Sequence, residues 1–442
     1  MVFKRFFDRG NDAAPPAAEP VPADDELPAD PESLDDAAAP EDADEHPWAA
    51  RALAVIPGGA STGSKRPEAL YGAADTDLPT HFLRAAGCHV VAADGETYVD
   101  CTMALGAVAL GYAEPAVTHA VMEAAGAGNV SGLSSVLEVS VAERLCGVIP
   151  CAEQVRFLKS GAEALSAAVR IARTYTGRDH VVASGYFGWH DWAGDAAGIP
   201  QGVRKDVTHV PFDDVAALEQ AVRGAGGALA AIVIEPVVER MPSDAWVARA
   251  RELATQAGAV LIFDEMKTGF RLATGGFQQV SGVTPDLAAF GKALANGYPL
   301  AAVCGRKDVM DAARRTWISS TLGGEATALA AASAVLDWHQ QAEVCEALQH
   351  NGADMRNVVQ AAMVASGIGG VSMLGLDQMW MLRFDDPAIE NAFIARAMRH
   401  GVLFKRGAYN YASVAHDDEA IQAIERAASA AFVELMEEGI AR

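Results

Sequence analysis

The sequence is short of positive charge. Its 442 residues hold 34 Lys and Arg against 58 Asp and Glu, a formal net charge of −24. Nucleic-acid binders carry a basic surplus, so this balance argues against one. Any run of about 18 uncharged apolar residues, the length that spans a membrane, is also missing. The opening MVFKRFFDRG is basic and aromatic, but no apolar stretch follows it, so no secretory signal is predicted. Cysteine is sparse. The six, Cys88, Cys101, Cys146, Cys151, Cys304 and Cys345, form no CxxC pair. In so long a chain they predict reduced core thiols in a cytoplasmic protein, neither disulfides nor zinc ligands. What is present is 51% hydrophobic residues, ample for a sizeable core. The length allows two or three domains, or one large α/β unit with a smaller companion.

The acidity is uneven. Residues 1–46 hold Lys4, Arg5 and Arg9 against 14 Asp and Glu, or 3 − 14 = −11, which leaves −24 + 11 = −13 for the rest. From Asn11 to His46 the chain is mostly Ala, Pro, Asp and Glu. Such a segment buries too little apolar surface to offset the entropy of ordering it. It is predicted to be a disordered acidic tail, with the folded body starting near Trp48.

The body alternates short apolar runs with helical stretches and shows no internal repeat. Strands are predicted at 155–160, 180–185, 229–235, 259–265, 287–291 and 300–305, with helices over 161–177, 216–224 and 245–258 between them. That alternation implies βαβ units, a mainly parallel sheet and helices on both faces. A helix from Gly324 to about His339 follows. The strands 378–384 and 401–404, the helix 389–400 and a closing helix after His416 then suggest a smaller α+β domain. The implied divisions are 47–110, an N-terminal part of the small domain with the substrate entrance; 111–338, the large domain; and 339–442, the rest of the small domain.

In such sheets ligands bind beyond the carboxyl ends of the strands, and four features lie there. Ser160-Gly161-Ala162 closes a strand and opens a helix, whose free amides suit a phosphate or simply make a cap. In GYFGWHDW (185–192), Tyr186 or Phe187 is placed to stack on a planar group or to pack internally. Asp264 ends a very apolar strand. There a carboxylate needs a cationic partner, either a ligand nitrogen or Lys267 or Arg271. Lys292, in FGKALANGYPL, sits where apolar surroundings would lower its pKa and make its amine a nucleophile. Together they supply what pyridoxal phosphate (PLP) requires: an amine, a carboxylate for the ring nitrogen, an aromatic and a phosphate cup.

The body from about Ile56 to the final helix resembles the class III PLP-dependent aminotransferases of fold type I, most closely the branch around glutamate-1-semialdehyde 2,1-aminomutase. The matching segments are PGGASTG, DGETYVD with LGYAEP, RFLKSGAEA, GYFGWHDW, VIEPV, FDEMKTGFR, FGKALANGYPLAAV and STLGGEA. Asp264 and Lys292 stand 292 − 264 = 28 residues apart. The resemblance implies that Lys292 forms the Schiff base and that Asp264 keeps the ring nitrogen protonated. It implies that Ser160, Gly161 and Ala162 bind the phosphate, that Tyr186 stacks on the ring and that Glu235 lies below the site. Thr321 is implied to reach the phosphate of a neighbouring subunit, which makes the expected assembly a homodimer with its site at the interface.

Several positions depart from the family. Phe187 replaces a frequent His, Lys267 a hydrophobic residue or Gln, and Arg240 the Asn of the aminomutases. Leu105 stands for their Trp, and Ala408 for their Glu. Their carboxylate-binding Arg falls near Lys65-Arg66. The cofactor machinery is therefore expected to be intact and the mutase pocket rewritten. An aminotransferase acting on an amine donor and a carbonyl acceptor is the primary expectation, with an aminomutase-type isomerase as the alternative. A protein acting without catalysis through its tail does not fit an intact Lys292 and Asp264. Lys65, Arg66, Lys267, Arg271, Lys405 and Arg406 lie in segments that the family places at the substrate entrance, and in an acidic protein they suggest an anionic substrate. Gly58 and Gly63 have P-loop spacing, but Lys65 falls one place late and no strand precedes it. His190-Asp191 lacks further ligands for a metal, so no metal is expected.

Overall fold

The computed structural model describes residues 48–74 and 76–441. The acidic tail predicted over 1–46 lies outside the described residues. Three strands come first: β1 (Phe82–Ala86), β2 (His89–Ala92) and β3 (Thr97–Asp100). Seven follow: β4 (Gln154–Leu158), β5 (His180–Ser184), β6 (Val207–His209), β7 (Leu229–Ile234), β8 (Val260–Asp264), β9 (Leu287–Phe290) and β10 (Ala301–Gly305). The last four are β11 (Val371–Leu376), β12 (Met379–Phe384), β13 (Val402–Leu403) and β14 (Asn410–Tyr411).

The central sheet has the order β4-β10-β9-β8-β7-β5-β6. Only β10 runs against its neighbours, so the sheet is mainly parallel, as predicted. Strands β7 to β10 are buried along their whole length, which explains why they read as unbroken apolar runs rather than alternating ones. Alternation still sets direction. Val260 and Ile262 pack with the helix Gly161–Thr176, while Leu261 and Phe263 belong to the core on the opposite face. Asp264, two residues beyond Ile262, therefore turns toward the start of that helix.

The helix Gly161–Thr176 forms because its apolar residues, mostly alanine, make one broad buried face. Ser160 caps its start, and Gly177 ends it in the left-handed conformation (φ 66°). The chain's two ends share a sheet: β13 pairs in parallel with β3, giving the order β1-β2-β3-β13. A third sheet, β11-β12-β14, is covered by the helices Val344–Ser366 and Pro387–Arg399, and the closing helix Asp418–Glu437 packs on these helices and on β3 and β13.

The long helix Val344–Ser366 adds to the elements predicted for this part of the chain. Gly352 sits in the helix for a steric reason: a Cβ there would lie 1.9 Å from the carbonyl oxygen of Asp377. Cys88, Cys101, Cys151 and Cys304 are buried and all six cysteines are free, in keeping with the predicted core thiols. No helix among the described residues is long and apolar enough to cross a membrane.

His416 gives the fold a pH dependence. It is buried, its Nδ1 accepts from the Ser413 amide at 3.0 Å, and burial pushes its pKa from 6.5 down to about 4. The unfolded chain then binds the proton first, so stability is complete above pH 6.5 and falls as pH drops toward 4. The loss from this group at pH 4.5 should reach about 2.5 kcal/mol. Urea unfolding at pH 7 and 4.5 checks this. His416→Gln should flatten the dependence, and an unchanged slope would remove His416 as its source.

Candidate active site

The predicted residues lie at the carboxyl ends of the parallel strands. Asp264 ends β8, Glu235 follows β7, Lys292 follows β9, Ser160 follows β4 and Tyr186 follows β5. Asp264 is buried, and its Oδ1 accepts from the Met266 amide at 3.0 Å. Burial, and then the neighbouring Glu235 carboxylate, push its pKa up to about 7, while Lys292 and Lys267 pull the other way. Burial likewise lowers the pKa of the Lys292 ammonium, with Asp264 opposing. A carboxylate in this setting lacks a full cationic partner and suits a protonated ring nitrogen.

Backbone constraints place Lys292. It occupies the left-handed region (φ 48°), which costs a non-glycine residue roughly 1 kcal/mol or more. A Cβ on the preceding Gly291 would lie 2.7 Å from the Met266 sulfur. Asn296 secures the same turn. Its Oδ1 accepts from the amides of Ala109 (2.9 Å) and Leu110 (3.0 Å), and its Nδ2 donates to the carbonyl of Gly111 (2.9 Å). Sequence reasoning missed Asn296. The Asn-Gly pair at 296–297 was its signal, since Asn tolerates the left-handed conformation it adopts (φ 45°).

The helix start is arranged for an anion. The Ser160 hydroxyl accepts from the Glu163 amide (3.3 Å), and the Glu163 carboxylate accepts from the amides of Lys159 (2.9 Å) and Ser160 (3.0 Å). This capping box leaves the amides of Gly161 and Ala162 without partners among the described residues. Glycine brings the next loop close: a Cβ on Gly188 (φ 91°) would lie 2.6 Å from that of Ala162.

Burial distinguishes Tyr186 from Phe187. Phe187 is 1% exposed and stacks on Trp192 at 5.9 Å, whereas Tyr186 is 75% exposed. The Tyr186 amide donates to Glu235 Oε2 at 3.1 Å. His190 belongs to a local hydrogen-bond network. Trp192 Nε1 donates to the Ser166 hydroxyl (2.8 Å), which in turn lies 2.7 Å from His190 Nδ1.

Neither Lys267 nor Arg271 pairs with Asp264. Lys267 Nζ lies 2.5 Å from Glu235 Oε1. The adjacent Glu265 is wholly buried and accepts from the Thr268 hydroxyl and from the amides of Phe277 (2.7 Å) and Gln278 (3.0 Å), which fixes the turn after β8. The expectation for Arg271 requires correction. Its guanidinium is buried and donates to the carbonyls of Ala412 (2.7 Å) and Gly106 (3.2 Å), so it is committed to the main chain and not free for a substrate.

Lys65 and Arg66 are exposed. Arg406 Nε donates to Asn391 Oδ1 at 2.5 Å, and Lys405 Nζ faces the carbonyls of Ser64 and Ala69 at 3.5 and 3.4 Å, so segments 64–69 and 405–406 meet. Thr321 is exposed. It lines a polar surface groove of about 330 Å³ with Ser131, Ser135 and Ser320. No group of three or more His, Cys, Asp or Glu side chains among the described residues is placed to hold a metal.

A mainly parallel α/β sheet here brings together a lysine whose pKa is lowered, a buried carboxylate and a helix start with free amides, the groups that a PLP enzyme requires. The chain belongs to the class-III aminotransferase family, whose profile matches residues 71–416, and its cofactor is PLP. It is 30% identical over 380 residues to the 3-aminobutyryl-CoA aminotransferase of Cloacimonas acidaminovorans, covering 83% of this chain and 91% of that protein. It is 31% identical over 428 residues to the glutamate-1-semialdehyde 2,1-aminomutase of Polynucleobacter necessarius, covering 87% and 97%. Among solved structures, a PLP form of the FumI protein of Sphingopyxis sp. MTA144 superposes with a TM-score of 0.85 at 28% identity, over 89% of this chain and 96% of that one.

Proposed function

We propose that the protein is an aminotransferase that moves an amino group from an amine donor to a carbonyl acceptor. PLP, when bound, supplies an aldehyde that takes up the amino group and a ring that accepts electrons. Asp264 holds the proton on the ring nitrogen. The Lys292 amine anchors the cofactor and afterwards carries the proton to and from the substrate carbon. The free amides of Gly161 and Ala162, with Ser160, orient the phosphate, and Tyr186 covers the ring. Glu235 supports that aromatic through its backbone.

One observation favours transfer over isomerisation. At the position of the mutase Asn, Arg240 is held in an ion pair with Asp213 at 2.5 Å. An arginine already paired with a carboxylate thus stands in place of the mutase amide, which supports a different substrate pocket. Incubating the PLP-loaded enzyme with an amine donor alone tests the reading. One equivalent of keto or aldehyde product per site is expected. A mutase needs no donor and releases none, so absence of product across a broad donor panel would favour isomerisation.

The same reading extends to partners and place. Leu133, which lines the Thr321 groove, is 84% exposed, and Val136 and Trp317, from the chain segments beside its lining residues, are 82 and 82% exposed. Such apolar surface supports a homodimer in which Thr321 serves the partner's site. Lys65, Arg66 and Arg406 support an anionic substrate, as do relatives named for an acyl-CoA and a glutamate derivative. The buried free thiols support a cytoplasmic location.

A further inference from the structure

Lys267 has no task in the reaction just described, yet it is built into the site. It stands on the turn that leaves β8, with Nζ 2.5 Å from Glu235 Oε1 and 4.4 Å from the centre of the Tyr409 ring. The other oxygen of Glu235 receives the Tyr186 amide. The remaining charged or titratable groups facing this pair are Asp264 at the end of β8, Lys292 after β9, Arg271 on the same turn, and Tyr409 and Tyr411 from the C-terminal segment. Glu235 and Asp264 are both buried and close enough to repel. Two unpaired carboxylates in a dry site compete for a proton instead of both ionising.

We propose that Lys267 is a positioning residue: its ion pair with Glu235 cancels a buried negative charge beside Asp264, leaving Asp264 as the carboxylate, and fixes Glu235 where it orients the Tyr186 backbone. The proposal rests on the roles given above to Asp264 and Lys292. It assigns Lys267 to neither substrate nor cofactor. Burial alone would discharge its ammonium, but Glu235 and the two tyrosines more than offset this, and the net direction is up.

The test is a pH titration of the visible absorbance of the PLP-loaded enzyme without substrate. Removing a cation favours protonated forms nearby, so Lys267→Met should raise the spectral pKa by roughly one unit. Glu235→Gln should lower it, and Lys267→Arg should leave it near the parent value. Thermal unfolding reads the pairing. Lys267→Met should lower the midpoint, and the double variant with Glu235→Gln should recover most of the loss, because no buried charge is left alone.

An unmoved spectral pKa in Lys267→Met, with a raised KM for anionic substrates and an unchanged kcat, would make Lys267 a substrate anchor and overturn the proposal. If Lys267→Met does not fold, Glu235→Gln carries the test, and a spectral pKa that fails to fall overturns the proposal. A Lys292→Ala enzyme that kept the visible band would sink the underlying reading instead.

Discussion

Lys292→Ala should reduce turnover by roughly five orders of magnitude or more. No other described side chain offers an amine at the end of β9 facing Asp264, and the neighbouring Lys267 is held as an ammonium by Glu235. The variant should also lose the visible band of the bound cofactor while retaining PLP by non-covalent contacts, because the helix start at Ser160 and the Asp264 carboxylate are untouched. Product assays and an absorbance spectrum after gel filtration with PLP suffice. Activity within tenfold of the parent would remove Lys292 from the mechanism.

Asp264→Asn separates stability from function. An amide cannot hold a proton on the ring nitrogen, so kcat should fall by about a thousandfold or more. The cofactor-free protein should move the other way. Burial, with Glu235, raises the Asp264 pKa from 3.8 to about 7. The folded chain therefore binds this proton more tightly than the unfolded one, and stability falls as pH rises from 3.8 through about 7. Ionising Asp264 without a partner thus costs on the order of 4 kcal/mol at pH 8, and asparagine avoids that cost. The apo variant should melt higher than the apo parent at pH 8, and the difference should shrink at pH 5. Equal melting at both values would show that Asp264 is already compensated in the empty site.

Six of the seven strands of the central sheet were legible because most are apolar runs buried on both faces and end in punctuation: Ser160-Gly161 after β4, Gly185 after β5, Asp264 as the last residue of β8, Gly291 after β9; the short, partly exposed β6 was not. The polar residues at those ends supplied the candidate site for the same reason, since each is conspicuous beside an apolar run. Side-chain allegiance was not legible. Lys267 and Arg271 lie on one turn, and spacing cannot say that the first faces Glu235 while the second reaches the carbonyls of Ala412 and Gly106. Both partners lie far along the chain and are set by packing. Asn296 and Gly352 escaped for a related reason. Each answers to a backbone that approaches from a distant segment, at 109–111 and at Asp377.

Arg271 has a mechanical meaning. One guanidinium bonds to carbonyls in the 106–108 segment, to Gln378 at the β11–β12 turn and to Ala412 after β14. Its bonds are dry, and a buried arginine that lets go of a carbonyl leaves both groups unsatisfied. Arg271, on the turn after β8, thus pins the central sheet to the small sheet at one point, and opening them like a hinge would mean breaking those bonds together. Entry and exit then fall to the rim, where Tyr186 and Trp189 lie open to solvent. The pace of substrate exchange should accordingly follow the motion of surface loops, which is fast and local, and directed evolution of substrate range has most room at the rim and least at the pin.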